Sequence, residues 1–240
     1  MNVRHDCAFC GGRTVEPLNA YGPRCLTGDY KTTVGHVQNV WCTTCGLAWN
    51  SKMLGDEELA AFYRGYTKKV GDSQEDDLLF GPTAAEVETL TQSQARFVAR
   101  HLRSRPRGRL LDIGSGKGSF LRDCRSMMPD WHYAGIEPSR EEAEMARASG
   151  LEIREGMFGE IELEREAFDL ISIMHVLEHV SEPAATLAAI HDTLTVGGLL
   201  FVEVPNVLDL NMFYDLLLFE HLYHFAPEPL MWQLARSGFE

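Results

Sequence analysis

The stretch that most constrains this 240-residue chain is Leu110-Leu111-Asp112-Ile113-Gly114-Ser115-Gly116-Lys117-Gly118-Ser119-Phe120-Leu121. An apolar run enters it, glycine takes every second position from 114 to 118, and a helical pattern leaves it. Glycine permits a sharp turn and lets a ligand approach the backbone without meeting a Cβ. A helix starting near Gly116 points its unpaired N–H groups, the positive end of its dipole, into the turn, which suits a carboxylate or a phosphate. The spacing is G-x-G-x-G rather than the dinucleotide fingerprint G-x-G-x-x-G, and an acid, Asp112, stands just before the glycines.

Beyond this turn, strand and helix patterns alternate. The spacing predicts strands at 109–113, 132–137, 151–155, 168–173 and 199–204, and helices at 117–127, 139–149 and 183–195. Such alternation implies a parallel sheet covered on both faces, with ligands at the carboxyl ends of the strands. Gly114, Glu137, Gly156 and His175 fall at those ends. Upstream, Val87, Leu90, Ala95, Phe97, Val98 and Leu102 predict a helix over 83–104. A shorter helix is expected over 56–66, with Asp56 as N-cap and Gly65 as C-cap, followed by a polar linker from Lys68 to Asp77.

The glycine stretch resembles the first motif of class I S-adenosylmethionine-dependent methyltransferases, and three later segments fit that family in order. They are Tyr133-Ala134-Gly135-Ile136-Glu137, Phe168-Asp169-Leu170-Ile171-Ser172-Ile173 and Gly197-Gly198-Leu199-Leu200-Phe201-Val202-Glu203-Val204. The resemblance covers roughly residues 83–240 and implies an α/β, Rossmann-like sheet that binds S-adenosylmethionine. It assigns Glu137, 19 residues after Gly118, to the ribose hydroxyls and Asp112 to the ammonium of the methionine moiety. Gly114, Gly116 and Gly118 would give close backbone approach, and Met157 and Phe158 would lie against adenine. It also places His175 between cofactor and acceptor, with Glu178 and His179 either beside it or orienting the next helix. Members of this family finish with an antiparallel strand pair, so a chain ending at Ser237-Gly238-Phe239-Glu240 is expected to stop short of the last two strands and leave a sheet edge open.

The first 50 residues carry different chemistry. Cys7-Ala8-Phe9-Cys10-Gly11-Gly12 and Cys42-Thr43-Thr44-Cys45-Gly46 are two C-x-x-C turns, each relieved by the glycine after it. Four thiolates on two knuckles suit tetrahedral, structural Zn2+, and a segment this short and polar needs the metal to fold. Two unrelated reduced pairs or a redox C-x-x-C are the alternatives, and the redox one lacks its βαβ context. His5 and His36 are candidate substitutes for a ligand, Cys25 reads as a loop residue and Cys124 as core. The domains are therefore expected as a zinc-binding module at 1–55, a helix and linker at 56–82, and the methyltransferase domain at 83–240.

Charge narrows the acceptor. Residues 1–70 hold 8 Lys/Arg against 6 Asp/Glu, a net +2, and residues 71–240 hold 14 against 29, a net −15. So acidic a domain would repel a polyanion, which argues for a small-molecule acceptor and against nucleic acid. No apolar run reaches the length of a membrane span, and the start lacks the pattern of a signal peptide, as expected of a cytoplasmic protein.

After the fifth strand comes Phe213-Tyr214-Asp215-Leu216-Leu217-Leu218-Phe219-Glu220-His221-Leu222-Tyr223-His224-Phe225. This is similar to the Glu-His segment of the sugar C-methyltransferases of bacterial deoxysugar pathways, which also carry two N-terminal C-x-x-C knuckles. The likeness implies a sugar-derived acceptor, nucleotide-activated in such pathways, and makes Glu220 and His221 the catalytic pair with His221 as general base. The tyrosine that group carries two residues before its glutamate is Leu218 here, so both C- and O-methylation stay open. An alternative for Tyr223-His224-Phe225 is an aromatic plug holding the next helix, which Pro227 begins. Two other readings of the whole are a zinc-knuckle RNA base methyltransferase, supported by the slightly basic N-terminus, and a catalytically incomplete cofactor-binding fragment.

Overall fold

The structure, a computed structural model, describes residues 2–18, 24–26, 33–36, 38–64, 78–80, 87–209, 218 and 220–240. In chain order the elements begin with β1 Asn2–Val3, β2 Val15–Pro17, β3 Arg24–Leu26, β4 Thr33–His36, β5 Asn39–Cys42, β6 Ala48–Asn50 and β7 Lys52–Met53. Next come α1 Asp56–Arg64, β8 Leu78–Phe80, β9 Val87–Thr89, α2 Leu90–His101, β10 Arg109–Ile113, α3 Ser119–Met127, β11 His132–Glu137 and α4 Arg140–Ala148. The remainder is β12 Glu152–Glu155, β13 Phe168–Met174, α5 Pro183–Thr193, β14 Leu194–Glu203, β15 Tyr223–His224 and α6 Pro227–Arg236, with 3-10 turns at Phe158–Glu160 and Leu177–His179.

These elements form two compact units. One comprises Phe62–Ile173 and Thr193–Phe201. Its five-stranded sheet has the order β12-β11-β10-β13-β14, so the strand sequence reverses between β10 and β13. β10 lies parallel to both β11 and β13, and β11 lies parallel to β12. Leu110, Leu111 and Ile113 of the central strand are all buried, as a strand covered on both faces requires. The helices are fixed at their starts by local chemistry. Thr89 and Gln92 form a reciprocal capping box on α2, and the Ser139 hydroxyl accepts from the Glu142 N–H at the head of α4.

Four expectations need correcting. Residues Val87–Thr89 are not helical; they pair antiparallel with Leu78–Phe80, and α2 starts only after the Thr89 cap. The helix after the glycines starts at Ser119, not near Gly116, with Gly118 as its left-handed N-cap at φ 78°. The last long strand starts at Leu194 and contains both Gly197 and Gly198, because β-branched Thr195 and Val196 favour an extended backbone where a helix to 195 was expected. Asp56 is the first helical residue rather than a cap, and the Glu58 carboxylate instead accepts from the Gly55 N–H at 2.9 Å. The expected cap at Gly65, the linker 68–77 and residues 210–217 fall outside the described residues.

The other unit joins Met1–Ala61 with Met174–Asp192 and Val202–Glu240, a grouping that crosses the boundary drawn from sequence at residue 55. Its four-stranded sheet has the order β15-β6-β5-β2. Tyr223 pairs with Trp49 and His224 with Ala48, antiparallel. The Tyr223-His224-Phe225 segment is thus the edge strand and buried anchor of the sheet built on the cysteine knuckles, which is more than a plug for α6. Phe225 packs on Phe9 at a ring distance of 5.9 Å, and the His224 ring meets the Asn39 side-chain oxygen at 3.1 Å. No helix among the described residues is long and apolar enough to cross a membrane.

Candidate functional site

In the sheet-bearing unit, β10 delivers Asp112 and the glycine turn, and β11 delivers Glu137. Both acids are buried. Asp112 accepts a hydrogen bond from the Ser172 hydroxyl of β13 at 2.7 Å. Glu137 accepts from the Gly116 N–H at 2.8 Å and from the Ser139 N–H at 2.7 Å, so one carboxylate ties the glycine turn to the head of the next helix. Each oxygen keeps a second lone pair for a ligand hydroxyl. Burial pushes both groups up to about 7, against the hydrogen bonds from Ser172 on Asp112 and from Ser139 and Gly116 on Glu137.

The turn itself demands glycine at two places. Gly118 sits at φ 78°, and a Cβ there would lie 2.4 Å from Leu151 Cδ1. Gly116 sits at φ 52° with Glu142 Oε2 within 3.2 Å of such a Cβ. Met157 and Phe158 follow β12 and are half-buried. A buried carboxylate beneath a glycine turn, a second at the end of the neighbouring strand and an apolar pair after the third fit an adenosyl group with an ammonium tail. A pocket of about 170 Å3 opens elsewhere, at the amino-terminal ends of the strands among Arg109, His132, Glu152 and Phe168, away from this turn.

The histidines and their acids gather in the other unit. His175 has φ 52°, a strained value for a non-glycine residue, and it follows β13 directly. Its ring stands between two carboxylates: Nδ1 lies 3.6 Å from Glu178 Oε1 and Nε2 lies 3.1 Å from Glu203 Oε1. Glu178 and then Glu203 push this imidazole up to about 10, against the opposing effect of burial, so it is a cation at neutral pH. His221 behaves oppositely. It is 8% exposed, and burial, aided by repulsion from His179, His224 and His175, holds it well below the usual imidazole range. It is therefore neutral at pH 7. His179 faces it edge-on at a ring distance of 4.8 Å and bonds the Glu220 carbonyl at 2.9 Å, so it orients the 220–221 segment instead of capping a helix.

Sequence reasoning missed Glu203, Ser172 and the central place of Glu178. A signal for Glu203 existed: like Asp112 and Glu137, it is an acid near the carboxyl end of a strand.

The same unit holds the four cysteines. Cys7 and Cys45 sulfurs lie 3.4 Å apart, and Cys10 and Cys42 sulfurs 3.5 Å apart. All four fall within 4.8 Å of one another. Tetrahedral zinc with bonds of about 2.3 Å sets its sulfurs about 3.8 Å apart, so the donor set fits. Gly11 at φ 68° and Gly46 at φ 80° supply the left-handed step after each knuckle. The Gly12 N–H points at the Cys10 sulfur at 3.3 Å, the bond a thiolate ligand accepts.

Residues 87–240 match the family described as "Methyltransferase domain". Among curated relatives, a ubiquinone biosynthesis O-methyltransferase of Hahella chejuensis is 33% identical over 108 residues, 42% of this chain and 44% of that protein. A tRNA U34 carboxymethyltransferase of Desulfotalea psychrophila is 30% identical over 105 residues, 41% of this chain and 32% of that protein. The chain thus spans less than half the length of these relatives. The crystal structure of an S-adenosylmethionine-dependent methyltransferase from Archaeoglobus fulgidus shares the fold with a TM-score of 0.52 at 21% identity, over 61% of this chain and 69% of that one. With the 3-2-1-4-5 strand order, the glycine turn and the paired acids in place, the chain belongs to the methyltransferase domain family, that of the class I S-adenosylmethionine-dependent enzymes.

Proposed function

We propose that this protein transfers a methyl group from S-adenosylmethionine to a carbon or an oxygen of a small, sugar-derived acceptor, with His221 as general base. The observation that carries the reading is the opposed protonation of two histidines in one cluster: a buried neutral His221 and a cationic His175 paired with Glu178 and Glu203. A base and an acid held apart in this way are what removal of a proton next to a carbonyl, or from a hydroxyl, calls for.

Bound S-adenosylmethionine supplies a methyl group made electrophilic by the sulfonium. Glu137 would hold the ribose hydroxyls, Asp112 would hold the ammonium, the glycine turn would admit the backbone approach, and Met157 and Phe158 would cover adenine. His221 would take the acceptor proton on its ring nitrogen, with His179 edge-on to it and bonded to the Glu220 carbonyl. His175, a cation held between Glu178 and Glu203, would offset the negative charge that develops on the acceptor oxygen. The acceptor atom would gain the methyl carbon as that carbon's bond to the sulfonium sulfur breaks, leaving a neutral thioether, and the acceptor proton would end on His221. Alignment of acceptor and methyl supplies most of the rate.

A nucleotide-activated sugar suits an acidic protein because its anionic charge is small and local. The O-methyltransferase name of the Hahella chejuensis relative favours the oxygen arm, and the Glu220-His221 pair favours the carbon arm. We further propose that the four cysteines hold structural Zn2+ and that the protein works in a reducing, cytoplasmic compartment, since Cys7, Cys10, Cys42, Cys45 and Cys124 are all free thiols. The test is a mass gain of one methyl on candidate nucleotide-sugars with cofactor supplied. His221→Gln should remove it while cofactor affinity stays; an equally active variant would reject His221 as base.

The Desulfotalea psychrophila relative, named for action on tRNA, favours a second reading, an RNA acceptor. The −15 of residues 71–240 opposes it. RNA binding with a steep salt slope would support that reading, and its absence at low salt would remove it.

A further inference from the structure

Glu178 is an anomaly. It is 1% exposed, and neither carboxylate oxygen has a hydrogen-bond donor in reach among the described residues. A buried carboxylate with ion-pair contacts to two imidazoles but no hydrogen bond is costly, so its neighbours define what it is for. Its Oε1 lies 3.6 Å from His175 Nδ1 and 3.8 Å from His179 Nε2, too far for a hydrogen bond to either. One donor atom each from Glu178, His179 and His221 lie within 4.8 Å of one another.

We propose that Glu178, His179 and His221 form a second metal site, for a divalent transition-metal ion, and that an ion held there silences methyl transfer by occupying the lone pair of His221. Only the effect on turnover rests on His221 being the base; the binding does not.

Two features support the site. His179 Nδ1 bonds the Glu220 carbonyl, which can only accept, so the proton sits on Nδ1 and Nε2 is the basic nitrogen. Ligating histidines are oriented by the same kind of outer bond. The two segments that bear the ligands are also fastened together. The Leu222 N–H donates to the Glu178 carbonyl at 2.9 Å, and the Tyr223 hydroxyl donates to the Ser181 carbonyl at 2.8 Å. Donor atoms around a zinc-sized ion with bonds of about 2.0–2.2 Å sit about 3–3.5 Å apart, so small side-chain rotations bring these three into range.

Two imidazoles and a carboxylate select zinc, cobalt or ferrous iron over magnesium or calcium. Three protein ligands leave a coordination position open, unlike the four-thiolate set, which closes its ion. When Glu178 turns to the ion, the cationic His175 keeps its second partner, Glu203.

The test uses the full chain with its cysteine cluster loaded with zinc, titrated with Co2+. The proposal expects one further equivalent, with visible d–d bands and no thiolate charge-transfer band. Glu178→Gln and His179→Gln should each weaken it by about a hundredfold or more, with the first zinc retained. Methyl transfer to whichever candidate acceptor gains a methyl group in the mass test should stop as this equivalent binds and return on mild chelation. The proposal is overturned by no second equivalent, by unchanged affinity in both variants, or by full turnover with the ion bound. Should Glu178→Gln not fold, His179→Gln carries the test, its ring being partly exposed. Cobalt binding at this site in a protein that methylates no acceptor would uphold the site and sink the assignment of His221.

Discussion

At the scale of single residues, the account turns on where protons sit. Asp112 and Glu137 are carboxyls whose folded values, about 7, stand above their ordinary ones because burial penalises the charge. A folded state that holds protons more tightly than the unfolded chain is favoured at low pH, so their contribution is fully present below about pH 4 and is lost as pH rises through about 7. The cofactor-free protein should therefore lose thermal stability between pH 5 and 8 from these groups. Affinity for the cofactor should move the other way, because its ammonium pairs with the ionised form of Asp112. Calorimetry across that range checks both slopes, and Asp112→Asn should flatten the affinity profile. His221→Gln should lower turnover by about a hundredfold or more, the usual scale for loss of a general base, with cofactor affinity unchanged in the same preparation. His175→Gln should instead shift the alkaline limb of the rate profile, since the native imidazole is a cation up to about pH 10.

At the scale of elements, the glycine turn and its flanking strands set the cofactor residues. Gly118→Ala forces a left-handed alanine and a methyl into Leu151, and should cost about 1–3 kcal/mol in denaturant unfolding. Legibility in the sequence follows the same logic. β10, β11 and the acids at their ends were readable because an apolar run, a turn and an acid lie within a few residues of one another. The start of β14 was misplaced because Gly197 and Gly198 look like a boundary, whereas Thr195 and Val196 already extend the chain. β9 was hidden because Val87 fits a helical spacing as well as a strand, and only its partner Leu78–Phe80 decides between them. The pairing of Tyr223 with Trp49 spans most of the chain, and no local pattern announces it. Glu203 becomes a partner of His175 only once the strands are assembled, whereas Glu178, three residues along the chain from His175, was already in view.

At the scale of the whole molecule, the residues proposed to hold the cofactor and the histidine cluster belong to different compact units. The cysteine knuckles share a unit with His221, through the sheet in which β15 pairs with β6 and β6 with β5. A zinc held by the four cysteines would, on this arrangement, bear on the proposed catalysis without any part in the chemistry. Elemental analysis should find one zinc bound by the four thiolates, and Cys42→Ser should lose it. That variant should also lose turnover, because β15, which continues from His221, is anchored on the knuckle sheet. It should still bind cofactor, whose residues lie in the other unit. Loss of both together would show that the units fold as one, and loss of neither would remove the zinc from the account.

The central claim is that S-adenosylmethionine binds at the glycine turn, held by Glu137 and Asp112. Isothermal titration of the full chain with S-adenosylmethionine tests it most directly, with Glu137→Ala alongside. The account predicts one site per chain in the native protein and an affinity weakened at least about tenfold in the variant, the scale of one lost charge-assisted contact. A folded native protein that gives no binding, or a variant that binds as tightly as the native chain, would contradict it.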